Sequence, residues 1–312
     1  MSILDESMKK IILILIVFTF VSQVDAQYSN RWKRYRYEIV SGIGATNFLG
    51  ELGGADKEGT NFIRDFEFSM TRPAISVGLR YRILEKLSTK VALTYGILRG
   101  DDKTTQEKFR HNRNLNFYSH LIEFSGQFEY SLIKEKIGHR YNLRRVRGLK
   151  GLKLNTYLFA GIAGFWFNPY GKNPSTDEWV ALQDLGTEGQ GMVGSREKYN
   201  RFQVAIPFGI GFKYGFNREW SVGVEFGLRK TFTDYIDDVS TTYYDNAELA
   251  AIDPLIAQMA DPSLGEVSGQ TAVNQQRGDP SDYDSYMFLM ITLNYKLKTT
   301  RKGLPKFGMH RR

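Results

Sequence analysis

From Phe202 to Phe216 the chain alternates without interruption. Phe202, Val204, Ile206, Phe208, Ile210, Phe212, Tyr214 and Phe216 occupy every second place. Gln203, Ala205, Pro207, Gly209, Gly211, Lys213 and Gly215 occupy the places between. Side chains of a β-strand point to opposite faces in turn, so this run has one large apolar face and one small or polar face. The run is more than twice the common strand length of a globular sheet, about 5–6 residues. A wall with lipid outside and a narrow lumen inside needs about 9–11 such alternating residues per crossing.

The same period recurs along the chain. Within Arg72–Ile83, Ile75, Val77, Leu79 and Tyr81 oppose Ser76, Gly78, Arg80 and Arg82. Leu87–Arg99, Tyr118–Leu132, Trp220–Lys230 and Met287–Leu297 repeat the pattern, while Tyr37–Asn47 and Lys153–Phe167 are weaker because both faces are partly apolar. Eight strands predict an all-β fold, a transmembrane antiparallel up-and-down β-barrel. A soluble β-sandwich alternates in the same way, but the connections argue against it. Leu84–Lys86 and Asn217–Arg218 are tight, whereas Gly50–Thr71, Gly100–Phe117, Asn168–Arg201 and Thr233–Ser285 are long. Short periplasmic turns and long outer loops belong to outer-membrane barrels. Aromatic residues at the strand ends predict two interfacial girdles. Tyr35, Tyr37, Tyr81, Tyr130, Tyr214, Trp220 and Tyr295 lie in one, and Tyr118, Trp166, Phe202, Phe232 and Tyr286 in the other. An additional strand within 61–69 is left open.

A barrel of about eight strands encloses only its own side chains. Arg80, Arg82, Lys90, Glu123, Glu129, Lys213, Glu225 and Arg229 all fall on inward places. Unpaired charges in such a lumen are costly. Arg80, Arg82, Glu123, Glu129, Glu225 and Arg229 are therefore expected to form ion pairs that plug it, so that the barrel is no conduit.

Residues 1–26 read as a cleaved secretory signal, with Lys9-Lys10, the apolar run Ile11–Val21 and the small-residue site Val24-Asp25-Ala26. That run is short of the ~20 residues of a spanning helix. The remaining 27–312 read as one outer-membrane barrel domain with a basic tail over 298–312. The chain has no cysteine, which excludes disulfides, thiol catalysis and an acylated anchor.

The formal net charge of +8 is unevenly placed. Ile133–Lys153 holds eight basic residues and one acid, Lys296–Arg312 holds seven basic residues and no acid, and Arg31, Lys33, Arg34 and Arg36 precede the first strand. An even number of strands puts all three segments on the periplasmic side. Arg140, Arg144, Arg145, Arg147, Lys150, Arg31, Lys33 and Arg34 are the candidate docking residues for an acidic periplasmic partner or for outer-membrane lipid headgroups. Nucleic acid also suits a basic patch, but an exported barrel does not meet it.

The final loop, Thr233–Ser285, carries eleven acids and one base, Arg277. Asp245–Ala260 reads as a helix in which Asp253 caps Pro254. Asp279, Asp282 and Asp284, with Asp234, Asp237 and Asp238, lack calcium-loop spacing and are expected to be solvated. His120 is the one strand histidine and there is no G-x-S-x-G, so neither an enzyme, a cofactor nor a small-molecule substrate is expected.

Trp32-Lys-Arg-Tyr35-Arg-Tyr-Glu38, followed by Gly42-Ile-Gly44-Ala-Thr-Asn47-Phe-Leu-Gly50-Glu-Leu-Gly53, resembles the start of the PorG family. Arg140-Tyr-Asn-Leu-Arg-Arg-Val-Arg-Gly-Leu-Lys150-Gly is similar to its basic connection, and the likeness extends over Gln27–Arg312. The resemblance implies an accessory outer-membrane component of the type IX secretion machinery of Bacteroidota. It further implies that the component anchors a periplasmic ring of a PorK-like lipoprotein and a PorN-like protein, in a system that can support gliding. A stand-alone barrel, adhesin-like or a minor porin, is the alternative.

Overall fold

In a computed structural model, the structure describes residues 30–50, 52, 68–105, 107–134, 154–192, 195–217, 219–300 and 304–305. Among the described residues nine strands are formed: β1 (Tyr37–Leu49), β2 (Arg72–Arg82), β3 (Leu87–Asp101), β4 (Asn116–Ile133), β5 (Leu154–Lys172), β6 (Trp179–Ala181), β7 (Phe202–Gly215), β8 (Trp220–Thr231) and β9 (Ser285–Leu297). They follow one another as β4-β3-β2-β1-β9-β8-β7-β5, and β4 also pairs with β5, so the sheet closes. Every pairing is antiparallel. Eight strands thus make a barrel wall, and β6 adds three residue pairs to the outer end of β5.

The tight ends are built locally. Leu87 O accepts from the N–H groups of Ile83 and Leu84 at 2.9 Å. Asn217 Oδ1 accepts from the N–H groups of Glu219 at 2.9 Å and Trp220 at 2.7 Å, closing an Asx turn. β5 runs past its expected end at Phe167, because Pro169 lies where the missing N–H costs nothing. Its register partner is Ser119 of β4, pairing with β7 stops at Trp166, and β6 begins at Tyr170.

Alternation sets the two faces. On β7, Phe202, Val204, Ile206, Phe212 and Tyr214 are exposed, Ala205 and Lys213 are buried, and Phe208 and Ile210 are half-buried. Around the wall Ile43, Ile162 and Phe124 are 67%, 69% and 62% exposed. The lumen is layered: charged side chains fill the half next to the tight turns, while Phe48, Leu98, Phe117, Leu121, Phe165, Phe167 and Phe288 fill the half under Ile236 and Val239 of the final loop. Tyr286, expected in the outer girdle, is an inward residue of β9 and is fully buried in this layer, because it shares parity with Phe288.

Short helices dress the outer end: α1 (Lys108–Arg113), α2 (Leu182–Leu185), α3 (Asn246–Ile252) and α4 (Pro254–Ala260). The single helix expected over Asp245–Ala260 is two. Pro254 cannot donate. Asp253 both ends α3, through its N–H to Leu249 O, and caps α4, its carboxylate accepting from Leu255 N. Phe68–Met70 is a 3-10 turn, and 61–67 lies outside the described residues. No helix among the described residues is long and apolar enough to cross a membrane.

Candidate functional site

The lumen charges converge on Arg80. Its Nε donates to Glu129 Oε2 at 2.6 Å, Nη1 to Glu38 Oε2 and Asn294 Oδ1 at 2.9 Å each, and Nη2 to Glu225 Oε1 at 3.0 Å and the Tyr157 hydroxyl at 3.2 Å. Tyr157 in turn donates to Glu225. Lys213 bonds both Glu38 oxygens at 2.9 and 3.1 Å, Lys90 pairs with Glu225, and Arg82 lies 3.4 Å from Glu38. One layer further out, Glu123 accepts from Arg229 Nε at 3.1 Å and the Tyr286 hydroxyl at 2.9 Å. Arg80, Arg82, Glu129 and Glu225 therefore sit in one network, and Glu123 with Arg229 in a second. Glu38 is the carboxylate that the period-two reading passes over. Its place in Tyr37–Asn47 is inward, but the neighbouring apolar Val40 blurs that face.

A second hub braces the outer loops. Arg277 Nη1 donates to Glu188 Oε1 at 2.9 Å and to the Asp238 carbonyl at 2.7 Å. Glu188 also accepts from Ser240 N at 3.0 Å and from the Thr241 hydroxyl at 2.5 Å. Asp238 accepts from the hydroxyls of Thr187 at 2.5 Å and Tyr199 at 2.6 Å. Arg113, held by Asp102 at 2.8 Å, donates to the Arg277 carbonyl at 2.7 Å, so three outer connections meet here. Burial pushes the Asp238 carboxyl up to about 6, against the pull of Arg277 and the two hydroxyls. Burial, then the neighbouring Asp238, drives the Tyr199 phenol well above its usual range.

These contacts correct the expectation of solvated acids in the final loop. Asp234, Asp237, Asp238 and Asp284 are buried. Asp237 accepts from Leu52 N and Val239 N, and Asp284 from Ile236 N, so loop backbone takes the part that water was expected to take. Asp279 and Asp282 remain exposed. Among the described residues no cluster of His, Asp and Glu could hold a metal ion. His120 lies on the outer wall with its Nδ1 2.8 Å from the Tyr95 hydroxyl. Between the final loop and the rim, a cleft of about 950 Å³ is lined by Arg110, Lys230, Asp279, Asp282 and Tyr283 among others.

At the opposite end, Lys33 and Arg34 are exposed on a 3-10 turn spanning Asn30–Arg34. That turn is tied to the chain after β9: Thr299 N donates to Arg34 O at 2.9 Å and its hydroxyl to Lys33 O at 2.8 Å. Arg36 stacks on Trp32 at 4.9 Å. Lys296 counts toward the basic rim in sequence, yet it is 1% exposed, because its even place on β9 turns it into the lumen beside Glu38. Lys134 and Lys298 are matched by Glu85 and Glu219. Arg140, Arg144, Arg145, Arg147 and Lys150, and the side chain of Arg31, lie outside the described residues.

A closed antiparallel wall, apolar outside and ion-paired within, defines the class: a β-barrel of transmembrane architecture. The chain belongs to the family described as a domain of unknown function, DUF6089, whose model matches residues 9–252. No curated protein sequence matches it. Solved structures overlap it at low similarity, three of them as follows. The attachment invasion locus protein Ail of Yersinia pestis, in complex with the heparin analogue sucrose octasulfate, is 5% identical over 84% of this chain and 99% of that one, with a TM-score of 0.37. Neisserial surface protein A is 10% identical over 83% and 96%, at 0.35. A major outer membrane protein from Thermus thermophilus is 12% identical over 83% and 99%, at 0.35. Overlaps this slight carry nothing about function.

Proposed function

We propose that this protein is a non-enzymatic outer-membrane component of the type IX secretion machinery that anchors a periplasmic ring, of a PorK-like lipoprotein and a PorN-like protein, through its basic periplasmic face. The outer-membrane placement is supported by the exposed apolar belt of Ile, Val, Leu and Phe. An outward band this continuous is far larger than soluble monomers expose. The docking role is carried by one observation. Exposed Lys33 and Arg34 are fastened to the basic C-terminal segment by Thr299, so two basic segments distant in sequence share one rim. The Ile133–Lys153 connection starts from the same end of the barrel, after β4. A rim of this charge draws an acidic partner and orients it.

Affinity capture of the detergent-extracted protein from its native membrane tests the reading. The wild type is expected to bring down periplasmic ring proteins. Charge reversal at Lys33, Arg34, Arg140, Arg144, Arg145 and Arg147 is expected to abolish recovery while the barrel stays folded. Undiminished recovery with the reversed charges sinks the docking role and leaves the barrel standing.

The second reading is an adhesin-like surface barrel. It is favoured by the braced outer cap around Arg277, which is more ordered than idle loops require. The minor-porin reading is opposed by the lumen, where Arg80 alone meets three carboxylates.

A further inference from the structure

Besides Phe202 on β7 and Phe232 beyond β8, the outer end carries a cluster of touching rings on one side of the wall. At the periplasmic end Tyr37, Tyr81, Tyr130, Trp220 and Tyr295 each come from a different strand, β1, β2, β4, β8 and β9 in turn. At the outer end, five rings gather on the adjoining β3, β4, β5 and β6. Tyr118 and Tyr170 stack at 5.1 Å with their planes 8° apart, and Trp179 meets Tyr118 edge-on at 4.7 Å. His120 packs against Tyr118 at 5.3 Å and is stacked with Tyr95 at 6.0 Å.

Cations frame this cluster. Arg99 stands in register with Tyr118, which stands in register with Tyr170. The Arg99 guanidinium lies 5.9 Å from the Trp179 ring centroid. Among the described residues its nearest carboxylate, Asp101, is 3.8 Å away, beyond hydrogen-bond reach. Arg72, anchored on the carbonyls of Ser69 and Thr71, is close enough for its charge to repel that of Arg99. Lys172 pairs with Asp177 at 2.6 Å.

The height of the cluster is set by strand geometry. The ten residues along β4 from Tyr130 to His120, at about 3.3 Å each and a tilt near 40°, climb about 25 Å, the thickness of a barrel's apolar band. Arg99, Tyr118, Tyr170 and Trp179 therefore stand just above that band, at headgroup level. Directly below them, Ile122, Phe124 and Ile162 are 43%, 62% and 69% exposed.

We propose that this face is a binding site for a phosphorylated glycolipid of the outer leaflet. Arg99, with Arg72 beside it, receives the phosphate, the Trp179, Tyr118 and Tyr170 rings carry the sugar, and acyl chains descend over Ile122, Phe124 and Ile162. A guanidinium one-third exposed and beyond hydrogen-bond reach of its carboxylate suits a phosphate, which accepts several charge-assisted hydrogen bonds at once. Basic groups at the bilayer interface are a known means of holding anionic headgroups. The apolar column continuous with the rings favours an acylated ligand over a soluble glycan.

The inference rests on the outer-membrane placement proposed above, though not on ring docking. Its test titrates the detergent-solubilised full chain with lipid A and, separately, with dephosphorylated lipid A, read by native mass spectrometry. The wild type is expected to bind the phosphorylated form roughly tenfold more tightly. Arg99→Ala is expected to erase that preference, and Trp179→Ala to weaken both forms alike, with the heat-sensitive gel mobility of a folded barrel kept in each variant. Equal wild-type affinity for the two lipids overturns the proposal, and that comparison needs no variant to fold. So does a preference that survives Arg72→Ala/Arg99→Ala, or equal binding of the phosphorylated disaccharide without its acyl chains. Loss of the preference with ring recovery intact counts against this site alone. Loss of ring recovery with the preference intact counts against docking alone.

Discussion

Arg80 shows what a single side chain does in this lumen. Its guanidinium is shared by Glu38, Glu129 and Glu225, so removing it takes a partner from three buried carboxylates at once; Glu38 keeps Lys213 and Glu225 keeps Lys90, but Glu129 is left with Lys90 at 3.9 Å. Breaking a buried pair costs more than the pair ever contributes, because the remaining charge is left unmatched. Arg80→Met is expected to lower unfolding free energy in liposomes by about 3–5 kcal/mol, read from urea midpoints, and to raise single-channel conductance above the wild type in planar bilayers. A second residue, Asp238, makes the outer cap sensitive to pH. Its folded carboxyl titrates at about 6, against roughly 4 in an unfolded chain. A raised folded value favours the fold most below about pH 4, and that contribution is lost as pH climbs from about 4 to about 6. The difference corresponds to about 3 kcal/mol. Asp238→Asn, which carries no charge at any pH, is expected to gain stability relative to the wild type across that window and to hold the gain above it. Urea unfolding of both proteins at about pH 4.5, 5.5 and 7 checks this; a difference that does not vary with pH refutes it. At this scale, parity makes Arg80, Glu129 and Glu225 legible, since inward places can be counted. Nothing periodic marks Glu188, Asp238 and Arg277, which meet only because loops far apart in sequence fold over the same mouth.

The strands are the most readable elements, because alternation and length both report on a wall with two different sides. Their ends are less so. The extension of β5 to Lys172 is paired with β4 as far as Tyr170 and, over its last three residues, with β6, a partner too short to leave a period of its own. The break between α3 and α4 is half visible: Asp253-Pro254 marks a cap, and the proline's missing N–H also stops the preceding helix. One inter-strand fit is testable. Gly211 of β7 lies in register with Tyr157 of β5, and a Cβ there would sit 2.3 Å from the Tyr157 ring. Gly211→Ala is expected to push Tyr157 off Glu225 and cost about 1–3 kcal/mol in the same urea assay. Tyr157→Phe, which loses only the hydroxyl, should cost about 1 kcal/mol. If the two variants prove equally mild, the close approach is not what fixes the tyrosine.

For the whole molecule, the barrel holds two unlike ends apart. Its periplasmic end gathers cations from both ends of the described chain, and its outer end carries a cap braced by Glu188, Arg277 and Asp238. Between them lies the ion-paired layer around Arg80. That division is legible in outline, from charge counted by segment and from loop lengths, because net charge survives any error in strand boundaries. The layered interior is not, since inward aromatic residues such as Phe165 and Tyr286 look like girdle residues until their parity is known.

The barrel is sealed by thirteen residue pairs between its first strand and its last. Until Ser285–Leu297 has been synthesised, Tyr37–Leu49 has an open edge and the cylinder has a slit. No shorter portion of the polypeptide can enter a bilayer with its amide groups satisfied. Closure of the cylinder must therefore wait until the ribosome has passed Leu297.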